Sequence, residues 1–238
     1  MIAAFGPVQP WLVLRAAALM SDGVTASHEY AHLGPSGLPG GIRHHDGWGI
    51  VYRDLGGGLV CLRGGEPLGN ALELVQLRFL NVTDLMVVHV RNASVPAQRG
   101  LAYAHPLEDQ VKGAQAFFFH NGYVPGLCSA PGAADWDSRN LLHWLRDAFE
   151  SDTRGTEIER RLEQLPADST AANFILVEPK RLTVCNWFAD RGVAPHYYTM
   201  HTCTIHQTTF VASDVVSDIA PANAWVPLGN HRVVEFAL

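Results

Sequence analysis

Apolar and polar residues follow one another in blocks that predict a strand, a helix and a loop at the start of the chain. Residues 2–5 form an apolar run that ends at a Gly-Pro pair, which indicates a strand. Residues 11–20 are mostly Leu, Val, Ala and Met, and they follow Pro10, which suits the first turn of a helix. Residues 33–41 are dominated by Gly and Pro and predict a loop.

Strands are predicted next. Residues 49–52 and 59–63 flank a glycine-rich pentapeptide and predict a hairpin. Residues 85–90 form a continuous apolar run, as expected of a strand that is buried on both faces, and residues 116–119 form another.

The second half of the chain predicts two helices followed by more strands. Residues 137–149 place their large apolar side chains on one stripe, which is typical of a helix. Thr156 and Glu159 resemble a capping box, which predicts a helix from there to residue 165. The other predicted strands cover residues 173–177, 181–188, 196–200, 208–212 and 231–236. Runs of strands and runs of helices favour an α+β fold with a large antiparallel part.

Composition narrows the classes of protein. The chain has 238 residues, 47% of them hydrophobic, so it can bury a core of one large or two small domains. The net charge is −6 and no long basic run occurs, which predicts neither a nucleic-acid nor a membrane partner. The apolar N-terminus lacks a basic leader and contains two prolines and Arg15, so we interpret it as mature structure. The four cysteines have no CxxC spacing, which predicts free thiols and a cytoplasmic location.

Four polar clusters interrupt or end these apolar segments, and the first two lie in the first half of the chain. In the cluster 44–49, the glycines around Trp48 indicate a close backbone approach or a tight entry into a strand. In the cluster 89–94, Arg91 follows a buried strand, where its charge needs a partner. That partner is either a ligand carboxylate, which a guanidinium binds in a bidentate manner, or an acid of the chain itself.

The other two clusters offer donors and an acid. Asn121 and Gly122 end an apolar strand and present the neutral donors that an oxyanion hole needs, although Asn-Gly is also a strong signal for a type I′ turn. Asp137 and Ser138 open a predicted helix, where an Asp serves as an N-cap or binds an ammonium group. Together the four clusters are complementary to an α-amino acid with an acyl side chain, such as glutamine.

The ordered motifs HHDGWGI (44–50), HVRNAS (89–94), AHPLEDQ (104–110), FFFHNGYV (117–124) and DWDSRNLL (135–142), with the tail 210–236, resemble class II glutamine amidotransferases. The small standalone members are the most similar. The resemblance implies an Ntn-hydrolase fold, which is a four-layer αββα sandwich with two antiparallel sheets between helices. It also implies a single domain over residues 1–238 and neither a metal nor a cofactor.

The resemblance implies roles for individual residues. Arg91 would hold the α-carboxylate of glutamine, with Ser94 in the same pocket, and Asp137 would bind the α-amine. Asn121 and the Gly122 N–H would form the oxyanion hole. Further residues would line the site (Asp46, Gly47 and Trp48) or support its strands (His105 and His120).

The family's nucleophile is absent from the sequence. Family members begin Met-Cys, and the exposed cysteine attacks the side-chain amide while its own α-amine acts as the base. Here Ile2 follows Met1, and neither side chain can attack a carbonyl. The four cysteines cannot replace it, because the mechanism needs a free α-amine on the same residue. Smaller departures are Trp136, where the family commonly has Thr, and Arg139, where an acid is commoner.

Three explanations remain open. The natural start could lie upstream, with a short Met-Cys-Arg leader before residue 1. Alternatively Ile2 occupies the nucleophile position of a non-hydrolysing relative, which binds glutamine or a γ-glutamyl compound or acts as a partner subunit. The third explanation is an engineered loss of the cysteine. In an active protein, the ammonia would go to a separate synthase partner or simply be released.

The sequence also contains features of two other classes of function, a metal site and an interaction surface. His201, Cys203 and His206 offer metal ligands, but strand alternation separates them and no zinc-type spacing is met, so we predict no metal. Trp136 and Trp225 could mark an interaction surface, yet core packing is the better interpretation of each.

Overall fold

The computed structural model describes residues 1–25, 42–71, 77, 82–129, 132–191 and 194–238. They form two compact units. Unit 1 consists of Met1–Pro106, Thr199–Leu228 and Leu238, and unit 2 consists of Leu107–Tyr198 and Gly229–Ala237. The loop predicted over residues 33–41 lies outside the described residues. The assignment of residues 1–238 to a single domain stays a prediction.

Unit 1 is built on a seven-stranded antiparallel sheet in the order β11-β9-β10-β1-β4-β2-β3. Its strands are β1 (Ile2–Val8), β2 (Trp48–Arg53), β3 (Leu59–Gly64), β4 (Thr83–Val90), β9 (His201–Ile205), β10 (Thr208–Ala212) and β11 (Val226–Pro227). Its helix is α1 (Pro10–Ser21), with a proline in the first turn as predicted. The hairpin of β2 and β3 and the buried strand β4 are also confirmed.

The core of unit 1 lies between α1 and one face of the sheet. Strand side chains alternate between faces, and Ile2 and Ala4 of β1 pack with Val13 of α1 and Val88 of β4. Ala3 is equally buried but does not belong to this cluster, because it points to the other face. The α1 core is therefore reached by the even-numbered residues at the start of β1.

Unit 2 is built on a five-stranded antiparallel sheet in the order β12-β8-β7-β6-β5. Its strands are β5 (Leu107–Val111), β6 (Ala114–Tyr123), β7 (Ala171–Glu178), β8 (Arg181–Asn186) and β12 (Arg232–Ala237). Its helices are α2 (Asp137–Glu150), α3 (Arg154–Leu162) and α4 (Pro195–Tyr198). The rings of Phe118 on β6, Phe149 on α2 and Phe174 on β7 lie 5.2–6.1 Å apart and join α2 to the sheet.

The predicted α+β class with two antiparallel sheets is confirmed, and each unit has helices on a face of its own sheet. No helix within the described ranges is both long and apolar enough to cross a bilayer.

Two local predictions were wrong. Residues 196–200 do not form a strand, because Pro195 starts the short helix α4, and Asn173 binds the Tyr198 carbonyl at 2.5 Å. The capping box fails because α3 already begins at Arg154, and the Glu159 carboxylate accepts the backbone N–H of Val233 on β12 instead.

Candidate functional site

In unit 1, Asp46 joins the start of β2 to the loop that follows β4. Its backbone N–H donates to the Arg91 carbonyl at 2.9 Å. Its carboxylate accepts the Ala93 N–H at 2.9 Å and pairs with Arg99 at 3.1 Å. Asp46 therefore holds the Arg91 loop in place, and a direct contact with a ligand stays a prediction.

The two glycines beside Trp48 allow close backbone approaches, as the sequence predicts, and the approaching groups belong to unit 1 itself. A Cβ on Gly49 would lie 1.6 Å from the His105 carbonyl oxygen. Gly47 has a φ of +132°, which side-chain-bearing residues rarely adopt, and its carbonyl accepts the Arg91 N–H at 2.9 Å. The Trp48 side chain lies in the core, where its indole N–H donates to Glu66 at 3.0 Å.

Arg91 is buried where β4 ends, and its guanidinium donates to the Gln98 carbonyl in the same loop. Ser94 lies exposed in this loop. Because Asp46 and Gly47 bond to Arg91 and to its neighbour Ala93, the structure brings Asp46, Gly47, Arg91 and Ser94 together in one part of unit 1.

Two buried histidine rings lie beside Arg91. The ring centroids of His89 and His105 are 4.5 Å apart. Burial lowers the pKa of His89 well below its usual value, and the neighbouring His105, N-terminus, Arg91 and His44 lower it further. His89 is therefore neutral near pH 7, so the positive charge beside these two rings is that of Arg91.

The start of β1 lies against the end of β10. The Met1 amine donates to Ser213 Oγ at 3.0 Å, and the Met1 carbonyl accepts the Ser213 N–H at 2.9 Å. Burial lowers the pKa of this amine to about 5, against the opposing effect of Asp214. The Ile2 side chain is fully buried in the α1 core, so residue 2 presents no reactive position at the surface of unit 1.

Asp214 is the second polar residue at this end of the sheet. Its carboxylate accepts the Thr25 hydroxyl at 2.5 Å and the Val215 N–H at 2.8 Å. Burial raises the pKa of Asp214 to about 6, while these two hydrogen bonds and the N-terminal charge lower it by less. The sequence carries a signal for Ser213 and Asp214, because they follow an apolar strand as the four polar clusters do, but our sequence analysis did not single them out.

We expect Asp214→Asn to remove a pH-dependent loss of stability. Because the folded-state pKa of about 6 exceeds the ordinary 3.8, the folded protein keeps this proton longer than the unfolded chain. The parent's stability therefore falls as pH rises from about 4 to 6, by about 2 kcal/mol once partial exposure is allowed for. Urea unfolding at pH 4 and pH 8 should show the variant more stable only at pH 8. An equal advantage at both pH values would contradict the assignment.

In unit 2, strand β6 continues through Asn121 and Gly122. Asn121 is opposite Asn173 and Gly122 is opposite Ala172 on β7, so the alternative of a type I′ turn is wrong. Gly122 has a φ of +154°, and a Cβ there would lie 1.9 Å from the Ala171 carbonyl oxygen. The position thus requires glycine, and β7 is the reason the chain does not turn.

Asp137 is the first residue of α2, and Trp136 is its N-cap. The buried Asp137 carboxylate accepts the Val124 N–H at 3.0 Å and the Ser138 N–H at 2.8 Å. The neighbouring Ser138 hydroxyl lies 2.8 Å from His120 Nδ1, and both side chains are buried. His120 therefore ties β6 to the start of α2, so Asn121, Gly122 and Asp137 lie on elements that are joined by direct bonds.

Other candidate chemistry finds little support. In the part of the chain that the structure describes, no group of three or more His, Cys, Asp or Glu side chains is arranged to hold a metal. All four cysteines are free, and burial raises the pKa of Cys203 to about 11. Trp136 and Trp225 are buried, which confirms core packing for both.

No protein-family model matches the chain, and no curated protein matches it. Several solved structures match the chain. The chain resembles a glutamine phosphoribosylpyrophosphate amidotransferase from B. subtilis, with a TM-score of 0.61, 14% identity and coverage of 99% of this chain and 48% of that one. It also resembles an allosteric regulatory enzyme of purine biosynthesis, with a TM-score of 0.66, 16% identity and coverage of 99% and 46%.

A third similar structure is a glutamine aminotransferase class-II domain protein from Silicibacter pomeroyi, with a TM-score of 0.58, 13% identity and coverage of 98% of this chain and 93% of that one. The chain spans about half the length of the first two proteins. At these identities the likeness establishes the fold. It is the fold that the resemblance to class II glutamine amidotransferases implies.

Proposed function

We propose that this chain is a glutamine amidotransferase-type domain that binds L-glutamine or a γ-glutamyl amide. In unit 1, Arg91 would receive the α-carboxylate, with Ser94 beside it. In unit 2, Asp137 would receive the α-amine, and Asn121 with the Gly122 N–H would stabilise a developing oxyanion. A cytoplasmic location and a separate ammonia acceptor remain predictions that accompany this proposal.

The observation that carries the proposal is the path of β6. A paired, buried strand delivers Asn121 and Gly122 as strand residues, and Gly122 adopts a conformation that only glycine tolerates with the Ala171 carbonyl so close. Because the backbone conformation is fixed at Gly122, the Asn121 side chain and the Gly122 N–H are held in place before any ligand binds. Preorganised neutral donors of this kind stabilise charge that develops during acyl transfer.

The register of β1 bears on the missing nucleophile. Ile2 belongs to the even-numbered residues that pack against α1 and is completely buried. Strand alternation puts Met1, and a residue two positions before Met1, on the opposite face. That face also carries His89, since Ile2 pairs with Val88. This register supports a nucleophile at a position other than residue 2, because a Met-Cys-Arg leader would place its cysteine on the same face as His89.

We therefore favour hydrolysis by a cysteine two residues before Met1. Its thiolate would attack the side-chain amide carbon, its own α-amine would take the thiol proton, and ammonia would leave from the resulting tetrahedral intermediate. Water would then release glutamate from the thioester. The alternative is a non-hydrolysing relative, which the burial of Ile2 also permits, because the binding residues Arg91 and Asp137 do not depend on residue 2.

Binding is tested by thermal unfolding with L-glutamine. At about ten times the Kd, we expect the Tm to rise by about 3 °C, since a ligand that binds only the folded state stabilises it. Glutamine α-amide, which lacks the α-carboxylate, should give no comparable rise. Arg91→Gln should abolish the rise, and Arg146→Gln, which changes an exposed arginine paired with Asp109, should preserve it. No rise up to millimolar glutamine, or equal rises with both ligands, would overturn the proposed binding.

A further inference from the structure

Unit 2 contains an open cavity of about 320 Å³ beyond the C-terminal end of α3. Its walls include Glu163 and Ser169 from the segment after α3, Trp187 and Asp190 from the segment after β8, and His231 from the turn before β12. A volume of this size is at the lower limit for small-molecule sites. The cavity therefore suits a small ligand.

An aromatic pair lines one side of the cavity. The rings of Trp187 and His231 are stacked, with centroids 5.6 Å apart and an angle of 19°. His231 Nε2 lies 3.1 Å from the Phe188 carbonyl. The Asn230 side chain binds both the N–H and the carbonyl of Phe188 at 2.9 Å, so the turn that carries His231 is fixed to the end of β8.

The charged groups at the cavity are acidic. Asp190 Oδ1 lies 3.6 Å from His231 Nε2, and the Asp190 side chain is 77% exposed, so its carboxylate remains available. Glu163 is a second exposed acid on the wall. Among the described residues that line the cavity, none is a lysine or an arginine. The combination of carboxylates and aromatic faces attracts organic cations.

A buried hydroxyl gives a second and independent indication of a ligand. Ser169 lines the cavity but is only 4% exposed, and its Oγ has no hydrogen-bond partner among the described residues. Buried polar atoms normally have a partner, and each exception calls for an explanation. A ligand that donates an N–H to this hydroxyl would be the missing partner. A primary ammonium group has such an N–H, whereas a quaternary ammonium group has none.

None of the unit 2 residues proposed to bind glutamine, which are Asn121, Gly122 and Asp137, lines this cavity. Asn121 pairs with Asn173, and both side chains point to one face of the sheet. Trp187 is one position from the Ala171–Phe188 bridge, which puts it opposite Ala172 and on the other face, the one that Phe174 shares with α2. The cavity therefore opens on the helix-covered face of the unit 2 sheet.

We propose that this cavity is a second ligand site, which binds a small organic compound with a primary ammonium group. The ammonium would lie between the Asp190 and Glu163 carboxylates and the Ser169 hydroxyl. The alkyl part would contact the Trp187 and His231 rings. Binding here does not require glutamine, a nucleophile or any residue of unit 1.

The test is an NMR titration of the full chain, labelled with ¹⁵N at tryptophan, with n-butylammonium at constant ionic strength. Comparison with the Trp187→Phe spectrum identifies the Trp187 indole resonance. We expect a saturable shift of this resonance and no other tryptophan. Asp190→Asn and Ser169→Ala should each weaken binding about 5-fold or more, the usual scale for loss of one polar partner. 1-Butanol, which has the same chain without the charge, should bind far more weakly.

Asp152→Asn is the matched control, because it makes the same charge change at a 97% exposed residue of unit 2 that does not line the cavity. Its affinity for n-butylammonium should equal that of the parent. An absence of any saturable shift, equal weakening by Asp152→Asn and Asp190→Asn, or equal binding of 1-butanol would each overturn the proposal. None of these results would bear on glutamine binding, which has its own test.

Discussion

Replacing Gly122 with alanine is expected to destabilise the protein by about 3 kcal/mol or more. Two effects add at this position. The φ of +154° is strained for any residue with a Cβ, and the new methyl group would lie 1.9 Å from the Ala171 carbonyl oxygen. The obstacle is backbone in the neighbouring strand β7, so it cannot rotate away as a side chain would. Relief requires β6 and β7 to separate where Asn121 is held.

Gly155→Ala is the control for Gly122→Ala. Gly155 lies in α3, and a Cβ there would find its nearest neighbour, Val233 Cγ1, at 3.9 Å. Alanine in a helix is favoured over glycine by about 0.5–1 kcal/mol, so this variant should be slightly more stable than the parent. Urea unfolding of the three proteins measures both changes. A Gly122→Ala protein as stable as the parent would contradict the strand geometry of β6.

The second large effect is expected at a buried ion pair in unit 2. The Arg154 guanidinium makes two hydrogen bonds with the Glu178 carboxylate, one of 3.2 Å, and approaches Thr183 Oγ1 at 3.4 Å. The Arg154 side chain is 3% exposed. Among the described residues, Glu178→Ala leaves this buried cation with Glu235 as its one remaining ion-pair partner, at 3.7 Å. We expect a loss of about 3 kcal/mol, since removing one partner of a buried pair leaves an uncompensated charge.

A double variant separates this charge effect from a general packing defect. Arg154→Met combined with Glu178→Leu removes both charges and should recover most of the stability that Glu178→Ala loses. Asp152→Ala breaks the exposed pair with Lys112 and should leave the stability close to that of the parent. Equal losses in Glu178→Ala and in the double variant, measured by urea unfolding, would show that the pair acts through packing alone.

Much of the fold could be predicted because strand and helix signals agree with the packing around them. Residues 85–90 and 173–177 are largely apolar, and both lie in strands buried on two faces. The stripe of residues 137–149 became α2, because its apolar side chains pack on the unit 2 sheet. In these segments the local pattern and the tertiary environment favour the same structure.

The predictions that were wrong concern segments whose local structure depends on residues distant in the sequence. Asn121-Gly122 carries a strong turn signal, but pairing with β7 keeps it extended. The capping box at Thr156 was overridden because Arg154 is held in the interior by Glu178, so α3 begins two residues earlier. Nothing in the sequence near β1 shows which face Ile2 occupies, since that depends on the register with β4 and on the position of α1.

That register changes the interpretation of the missing cysteine. One explanation drawn from the sequence puts Ile2 in the nucleophile position, yet the Ile2 side chain packs against α1 in the apolar core of unit 1. At its Met1 end, the face shared by Met1 and His89 carries polar groups, including the Ser213 hydroxyl that binds the Met1 nitrogen. An amide nitrogen can donate to this hydroxyl as an amine does, so the contact tolerates residues before Met1.

Ammonia release from L-glutamine, measured on three proteins, tests this account most directly. One is the 238-residue chain, the second is Ile2→Cys, and the third carries a Met-Cys-Arg leader before Met1. We predict that only the leader protein releases ammonia and that its Cys→Ala counterpart does not, since strand alternation would put only this leader cysteine on the face that carries His89. Ammonia release by Ile2→Cys would contradict this prediction. A leader protein that binds glutamine but releases no ammonia would contradict it as well.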